Sequence, residues 1–535
     1  MPITTDGPVT RGTRQNLIDG LRARPMPADK VDAILAQVTD FTNRLVNTYE
    51  AEVAAGEVGR NGSGEASDAE ILAERPPTCL LYGRVQSGKT AAMILTSALC
   101  LDNGFKVIIV LTADNVALVE QTANRFKDLA GPRVFSTVRD DVYEWEGQED
   151  AIREDVQRDG LVLVCAKDAF HLPEILNFLQ QIEAPAHPAI VFDDEADAAT
   201  PDTTLAARTA GRPNAPAHAS TIHRRVVANT APGEEGESVN EVVPHSLFVQ
   251  VTATPFILFL QRRGSRMRPN VTFVLEPGTD YCGGETFFAG FDPQRNPPDP
   301  PLVMVPPTEA QNIMRGRTVP TGLAASIDFF VLAASAKGFR EGMWPTEGYK
   351  HLSHTSHRIA QHTVVANHIE THLTELRRLV RTGGPEAQQA FAAAHAELRR
   401  TVPDLQPLER LLPTVNAVLG QAEIFRINSD TDVPRYGPRI NFIVGGNILG
   451  RGLTIDDLLV TYYIREAQTS QMDTVWQHAR MYGYRETADV LHAGVSHRPA
   501  RGSVQGHPRE RGAASGVAAP RNERGGGPYP RGDWV

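Results

Sequence analysis

Cysteine and lysine are scarce in this chain, and each scarcity excludes something. Four cysteines in 535 residues, Cys79, Cys100, Cys165 and Cys282, contain no C-x-x-C pair. Spaced this widely, they predict neither a disulfide framework nor a structural zinc site. Only 7 of the 53 basic residues are lysines, and none has Asp or Glu two positions earlier. That removes the acid-x-Lys signature of the common magnesium-dependent nuclease core, and Glu347, three before Lys350, does not restore it. Long apolar runs are missing: stretches such as 107–111 and 329–334 fall far below the roughly 20 residues that span a bilayer. The first 17 residues also lack the apolar stretch of a signal peptide, so a cytoplasmic location is expected. Positive charge is not in excess either. The net charge of −11 excludes a polybasic nucleic-acid coat. Finally, Leu, Ile, Met and Phe vanish after residue 491, where seven arginines face three acidic residues. A segment of that composition, 492–535, cannot form a core and is expected to be disordered.

What is present suffices for three or four domains of roughly 150 residues, or two lobes with attachments. Val31, Ile34, Leu35, Val38 and Phe41 recur at spacings of three and four, predicting a helical N-terminal region and linker over 1–75. From residue 78, β-rich runs at 79–82, 107–111, 161–165, 190–192 and 247–251 alternate with helix-like segments. Such alternation predicts a parallel sheet wrapped by helices, a first lobe over 76–290. A polar stretch at about 201–244 reads as a surface insertion, and 291–321 as a proline-rich linker. Helix-like 323–339 and 375–400, with β-like runs at 425–427, 440–444 and 458–464, predict a second α/β lobe over 322–491 with a helical insertion.

The clearest motif is Gly83-Arg84-Val85-Gln86-Ser87-Gly88-Lys89-Thr90, a complete G-x-x-x-x-G-K-T between a predicted strand and an apolar helix. In such a loop, Gly83, Gln86, Ser87 and Gly88 supply backbone N–H groups for phosphate oxygens. Lys89 reaches the β and γ phosphates, and Thr90 ligates magnesium. About a hundred residues on, the apolar run 190–192 ends in Asp193-Asp194-Glu195-Ala196-Asp197. Carboxylates at the C-terminal end of a buried strand lie where open α/β sheets bind ligands. Asp194 is suited to holding magnesium and Glu195 to orienting an attacking water.

This order of motifs, followed by Thr252-Ala253-Thr254-Pro255, resembles superfamily-two helicases and translocases. Within that group, the strings 85–90, 445–454 (GGNILGRGLT) and 471–474 (QMDT) resemble the Z1-domain endonuclease family. The resemblance spans about 76–488 and implies two RecA-like P-loop lobes with ATP and Mg2+ between them. It further implies a motor acting on DNA, in a bacterial restriction or anti-phage defence system with methyltransferase or nuclease partners. RNA as the strand, or a nucleotide-gated scaffold with little turnover, are the alternatives. Thr252 and Thr254 would couple nucleotide state to the cleft. Arg451 and Gln477 would approach ATP, and Arg480 or Arg485 would be the arginine finger. Gln121, Arg125 and Lys167 would border the nucleic-acid track. Members of this family continue beyond the finger motif, so the resemblance also implies a C-terminal truncation.

Six histidines cluster at His351, His354, His357, His362, His368 and His372. Helical ligand spacings occur among them, but no cysteine or H-E-x-x-H completes a metal pattern. A strand and helix carrying polar, partly exposed histidines is the expectation.

Overall fold

A computed structural model describes residues 3–22, 28–54, 78–137, 145–202, 204, 210–211, 220–227, 238–261, 265, 267–278, 281–288, 302–305, 308–315, 318–354, 358–427, 435–446, 455–464, 482–484 and 492–495. Seven strands form the first sheet: β1 (Thr78–Gly83), β2 (Val107–Thr112), β3 (Arg133–Ser136), β4 (Leu161–Ala166), β5 (Ala189–Asp194), β6 (Ser246–Thr252) and β7 (Val271–Leu275). They run parallel in the order β3-β4-β2-β5-β6-β1-β7. Side chains alternate across the sheet as strand geometry requires. Val107, Ile109 and Leu111 of β2 enter one core, while Ile108 and Val110 enter the other. Burial on both faces accounts for the near-continuous apolar composition of β2 and β4. All five expected runs in this lobe are strands. The unforeseen β3 and β7 lie at the edges, where a strand has only one neighbour and a weaker apolar signal.

Helices Pro8–Arg22 and Ala28–Thr48 belong to this lobe. Val38, Phe41 and Leu45 bury themselves in the same core as Ala92, Met93 and Leu95 of helix Lys89–Asp102. The expected surface insertion needs a correction, since helices Thr221–Val227 and Val239–Val242 place Val226, Val227, Val239 and Val242 in the opposite core. These valines are too sparse to mark the segment by composition. A short strand outside the sheet, β8 (Tyr281–Cys282), follows.

The second sheet contains β9 (Leu302–Met304), β10 (Tyr349–His354), β11 (Ala422–Ile427), β12 (Ile440–Gly445), β13 (Leu458–Tyr463) and, after β14 (Gly483–Tyr484), which pairs with β8 instead, β15 (His492–Val495). Its order is β11-β12-β10-β13-β15-β9, all parallel. Two expected boundaries are corrected here. Strand β9 lies in the stretch read as linker, and β15 in the stretch read as disordered tail. A ladder needs backbone N–H and C=O groups rather than large side chains, so Ala493, Gly494 and Val495 pair without an apolar signature.

Helices Thr321–Glu341, Ile359–Thr382, Pro385–Leu398 and Leu408–Leu419 contribute to the main core beside this sheet. The first is long and apolar enough to cross a membrane by length and composition, yet Phe330, Val331 and Leu332 at its centre are fully buried. The histidines are more deeply placed than expected. His351 and His354 on β10 are buried, as are His362 and His368. His351 lies between the rings of Phe330 and Phe442, with Nε2 3.1 Å from Ser326 Oγ. His368 Nε2 is 3.1 Å from the Ile313 carbonyl oxygen, and His372 Nε2 is 2.7 Å from Asp328 Oδ1. These imidazoles satisfy core and helix contacts. His357 lies outside the described residues, and among the described residues no group of three or more His, Cys, Asp or Glu is placed to hold a metal.

Candidate nucleotide-hydrolysis site

The phosphate-loop motif forms the turn from β1 into helix Lys89–Asp102. Glycine is needed at both ends for different reasons. A Cβ at Gly83 would stand 2.8 Å from both Lys89 Cγ and Ser87 Oγ, so the close turn admits none. Gly88 has φ of 97°, in the left-handed region, and the space beyond its Cα is open within 4 Å. Gln86 shares that region with φ of 55°, a strained geometry for a side-chain-bearing residue. The first amides of the helix, at Lys89 and Thr90, stand at the positive end of the helix dipole. Lys89 Nζ folds over the loop and donates to the carbonyls of Gly83 at 3.2 Å and Arg84 at 2.9 Å.

The carboxylates stand two strands away, at the end of β5, with the end of β6 between them and the loop. Asp194 is 8% exposed. Burial, reinforced by the neighbouring Glu195 charge, pushes its carboxyl up to about 7 against the opposing pull of Lys89 and Lys167. Glu195 has φ of 50°, and its amide donates to Asp194 Oδ1 at 3.0 Å. Asp197 turns the other way: its Oδ1 accepts from the Thr252 hydroxyl at 2.5 Å and its Oδ2 from Thr254 at 2.7 Å. The Thr254 amide donates to Thr252 Oγ1 at 2.9 Å, closing the network. Both threonines thus grip the acidic loop from the adjacent strand end.

Lys167 requires a correction. It does not border a nucleic-acid track, because its side chain is fully buried behind the acidic loop. Its ammonium pairs with Asp193 Oδ1 at 2.7 Å and donates to the carbonyls of Asp194 at 2.6 Å and Glu195 at 3.3 Å. Asp193 also accepts from the Thr200 hydroxyl at 2.9 Å, and burial raises its pKa against the pull of Lys167 and Thr200. A chain with so few lysines spends one of them on the backbone of its acidic motif.

Beyond the phosphate loop and the acidic motif, the described residues include only some of those singled out in the sequence. Gln121 and Arg125 are half-buried on helix Val116–Phe126. At about 1.5 Å per residue that helix carries them roughly 9 and 15 Å from Asn115, where the chain leaves the C-terminal edge of the sheet. Arg451, Gln477, Arg480 and Arg485 lie outside the described residues. Composition and motif order gave no sign of the roles of Thr200 or Tyr281. The resemblance drew attention to the string holding Tyr484, but for its arginines.

A nucleoside triphosphate with Mg2+ fits these groups. Among the described residues, Ser87 Oγ, Gln86 Nε2 and Glu195 Oε2 are buried without hydrogen-bond partners, in a protein interior that normally satisfies such atoms. Thr90 and Asp194 offer hard oxygen donors. One hydroxyl and one carboxylate suit Mg2+, which characteristically completes its shell with phosphate and water oxygens.

Residues 322–491, in the second lobe, match the family model described as Z1 domain. No curated protein matches the sequence. Among solved structures, the chain is similar to Saccharomyces cerevisiae Dbp5 bound to RNA and ADP BeF3, at 10% identity and a TM-score of 0.38 over 79% of this chain and 80% of that one. It is similar to the DEAD-box helicase Mss116 bound to ssRNA and UDP-BeF at 9% identity and a TM-score of 0.35, over 83% of this chain and 72% of that one. The Pyrococcus furiosus Hef helicase domain aligns at 10% identity and a TM-score of 0.29, over 80% of this chain and 93% of that one.

Proposed function

We propose that this chain, a Z1 domain joined to a P-loop lobe, is an ATP-hydrolysing motor that works on nucleic acid in the cytoplasm. The observation that carries this reading is the clamp of Thr252 and Thr254 on Asp197. A simple nucleotide binder needs the phosphate loop and a magnesium carboxylate. Hydroxyls fastening the hydrolytic loop to the adjacent strand end give the site a mechanical connection as well.

In this mechanism the loop amides and Lys89 hold the phosphate chain, and Thr90 and Asp194 would hold Mg2+, which would supply neutralising charge to the phosphates. Glu195 orients a water and accepts its proton as the water oxygen bonds to the γ phosphorus and the bond to the β-phosphate oxygen breaks. Arg480 or Arg485 would bring a guanidinium to the charge that develops there. The strand is DNA, and the setting a restriction or anti-phage defence system with methyltransferase or nuclease partners; both come from the family resemblance. The lysine pattern supplies no acid-x-Lys centre, so the reading stops at hydrolysis and motion.

Steady-state hydrolysis by the wild type and Lys89→Ala, without nucleic acid and with single-stranded DNA, duplex DNA or RNA at fixed salt, tests it. DNA-stimulated turnover lost in Lys89→Ala is the expected result. Stimulation by RNA alone would move the substrate assignment, and equal turnover in Lys89→Ala would sink the motor.

A further inference from the structure

The short strands β8 and β14 pair antiparallel, Gly483 with Cys282 and Tyr484 with Tyr281, and bring two tyrosines far apart in sequence onto the phosphate loop. Their rings meet edge to face with centroids 5.9 Å apart. The Tyr281 hydroxyl donates to the Val85 carbonyl at 2.6 Å. The Tyr484 hydroxyl donates to the Ser87 carbonyl at 3.3 Å and accepts from the Gly278 amide at 2.9 Å. Gly483 completes the fit, since at φ of 128° a Cβ there would stand 2.9 Å from Gln86 Oε1.

The two carbonyls alternate along the loop, which gives the contacts a specific consequence. A trans peptide is planar, with its C=O and the following N–H pointing in opposite directions. Holding the Val85 carbonyl outward therefore turns the Gln86 N–H to the other side, and holding the Ser87 carbonyl does the same for Gly88. Gln86 and Gly88 are also the loop residues in the left-handed region, where an unsupported backbone would relax.

We propose that Tyr281 and Tyr484 are positioning residues that hold the alternate amides of the phosphate loop ready for a phosphate chain. Tyr484 comes from the Z1-matched segment, so the loop is fully arranged only when that segment is seated on it. The inference deepens the nucleotide reading above and rests on it for the identity of the ligand.

The test uses the full chain as wild type, Tyr281→Phe, Tyr484→Phe and the double variant. Phenylalanine keeps each ring and removes only the hydroxyl. A fluorescent ATP analogue is titrated with Mg2+, competed with ATP and with inorganic tripolyphosphate, and amide hydrogen exchange over 84–90 is followed without nucleotide. Each single variant should weaken ATP and tripolyphosphate by the same factor, about fivefold, the size of one hydrogen bond. Exchange at Gln86 and Gly88 should quicken while the melting temperature holds. A merely structural role would lower the melting temperature without that phosphate-only signature. Wild-type binding of ATP with unchanged affinity and exchange in both variants would overturn the proposal. If the wild type binds neither ligand, the nucleotide reading fails separately. Exchange then decides alone: quicker exchange at the two amides upholds the positioning role, and unchanged exchange rejects it.

Discussion

Lys167 and Asp193 form a 2.7 Å ion pair from which water is wholly excluded. Two charges in that position are costly unless their remaining hydrogen-bonding capacity is used, and here the ammonium also holds the carbonyls of Asp194 and Glu195. Lys167→Met leaves a buried carboxylate uncompensated and should cost about 3–5 kcal/mol in chemical denaturation. Adding Asp193→Leu should recover most of that stability. Hydrolysis should stay low in the double variant, because the carbonyls of the acidic pair have still lost their donor. A stable double variant that hydrolyses ATP at the wild-type rate would reduce the lysine to a scaffold element.

The clamp on Asp197 predicts a split between two activities. Thr252→Val with Thr254→Val preserves side-chain shape and removes both hydroxyl donors to the carboxylate. Unstimulated hydrolysis should remain within a few-fold of wild type, while stimulation by nucleic acid should fall at least about tenfold, since each lost bond to the carboxylate is worth about 1.5–3 kcal/mol. Asp197→Asn should behave alike. Combining it with the valines should add little, because the three side chains form one network. Additive losses would mean that the threonines act elsewhere.

Much of this architecture is legible in the sequence because central parallel strands are buried on both faces and so read as apolar runs. Lys89 and Asp194 are recognisable because their chemistry fixes residue type and order along the chain, whereas Thr252 and Thr254 stand out only through the family resemblance. Lys167 was legible as an unusual lysine but not as a buried one, since its partner Asp193 is 26 positions away and only the adjacency of β2 to both β4 and β5 brings them together. Strand β15 was missed for the opposite reason: its contribution is main-chain pairing, which leaves no mark on composition. The pairing of Tyr281 with Tyr484 depends on two separate excursions of the chain meeting over one loop, and no local pattern encodes that.

Asp194 gives the protein a pH-dependent stability whose sign follows from its environment. Its carboxyl titrates at about 7 in the folded chain against an ordinary 3.8. The folded state therefore holds a proton that the unfolded state has released, and stability falls as pH rises from about 4 to 7. Asp194→Asn removes the buried charge. Without nucleotide or Mg2+ it should melt a few degrees above wild type at pH 8 and close to wild type near pH 4.5. A constant difference across that range would show that burial of the charge is not its cause.

The first N-terminal helix begins on the last residue of the phosphate-loop helix. Asp102, the last residue of helix Lys89–Asp102, accepts from the Val9 amide at 3.0 Å and the Thr10 amide at 2.7 Å, capping helix Pro8–Arg22 from outside its own sequence. A carboxylate is unfavourable at the C-terminus of its own helix and favourable at the N-terminus of the other, so the second interaction accounts for its position. Gly7 makes the approach possible, since a Cβ there would collide with the Asp102 carboxyl. Asp102→Ala should cost about 1 kcal/mol, as loss of a helix cap does, and loosen the first helix. Limited trypsin digestion should then cut faster at Arg11 and Arg14. Gly7→Ala should reproduce the effect by driving the same two groups apart, and the double variant should be cut no faster than either single one. If trypsin cuts all three at the wild-type rate, the helix is held by the packing of its apolar face rather than by the cap.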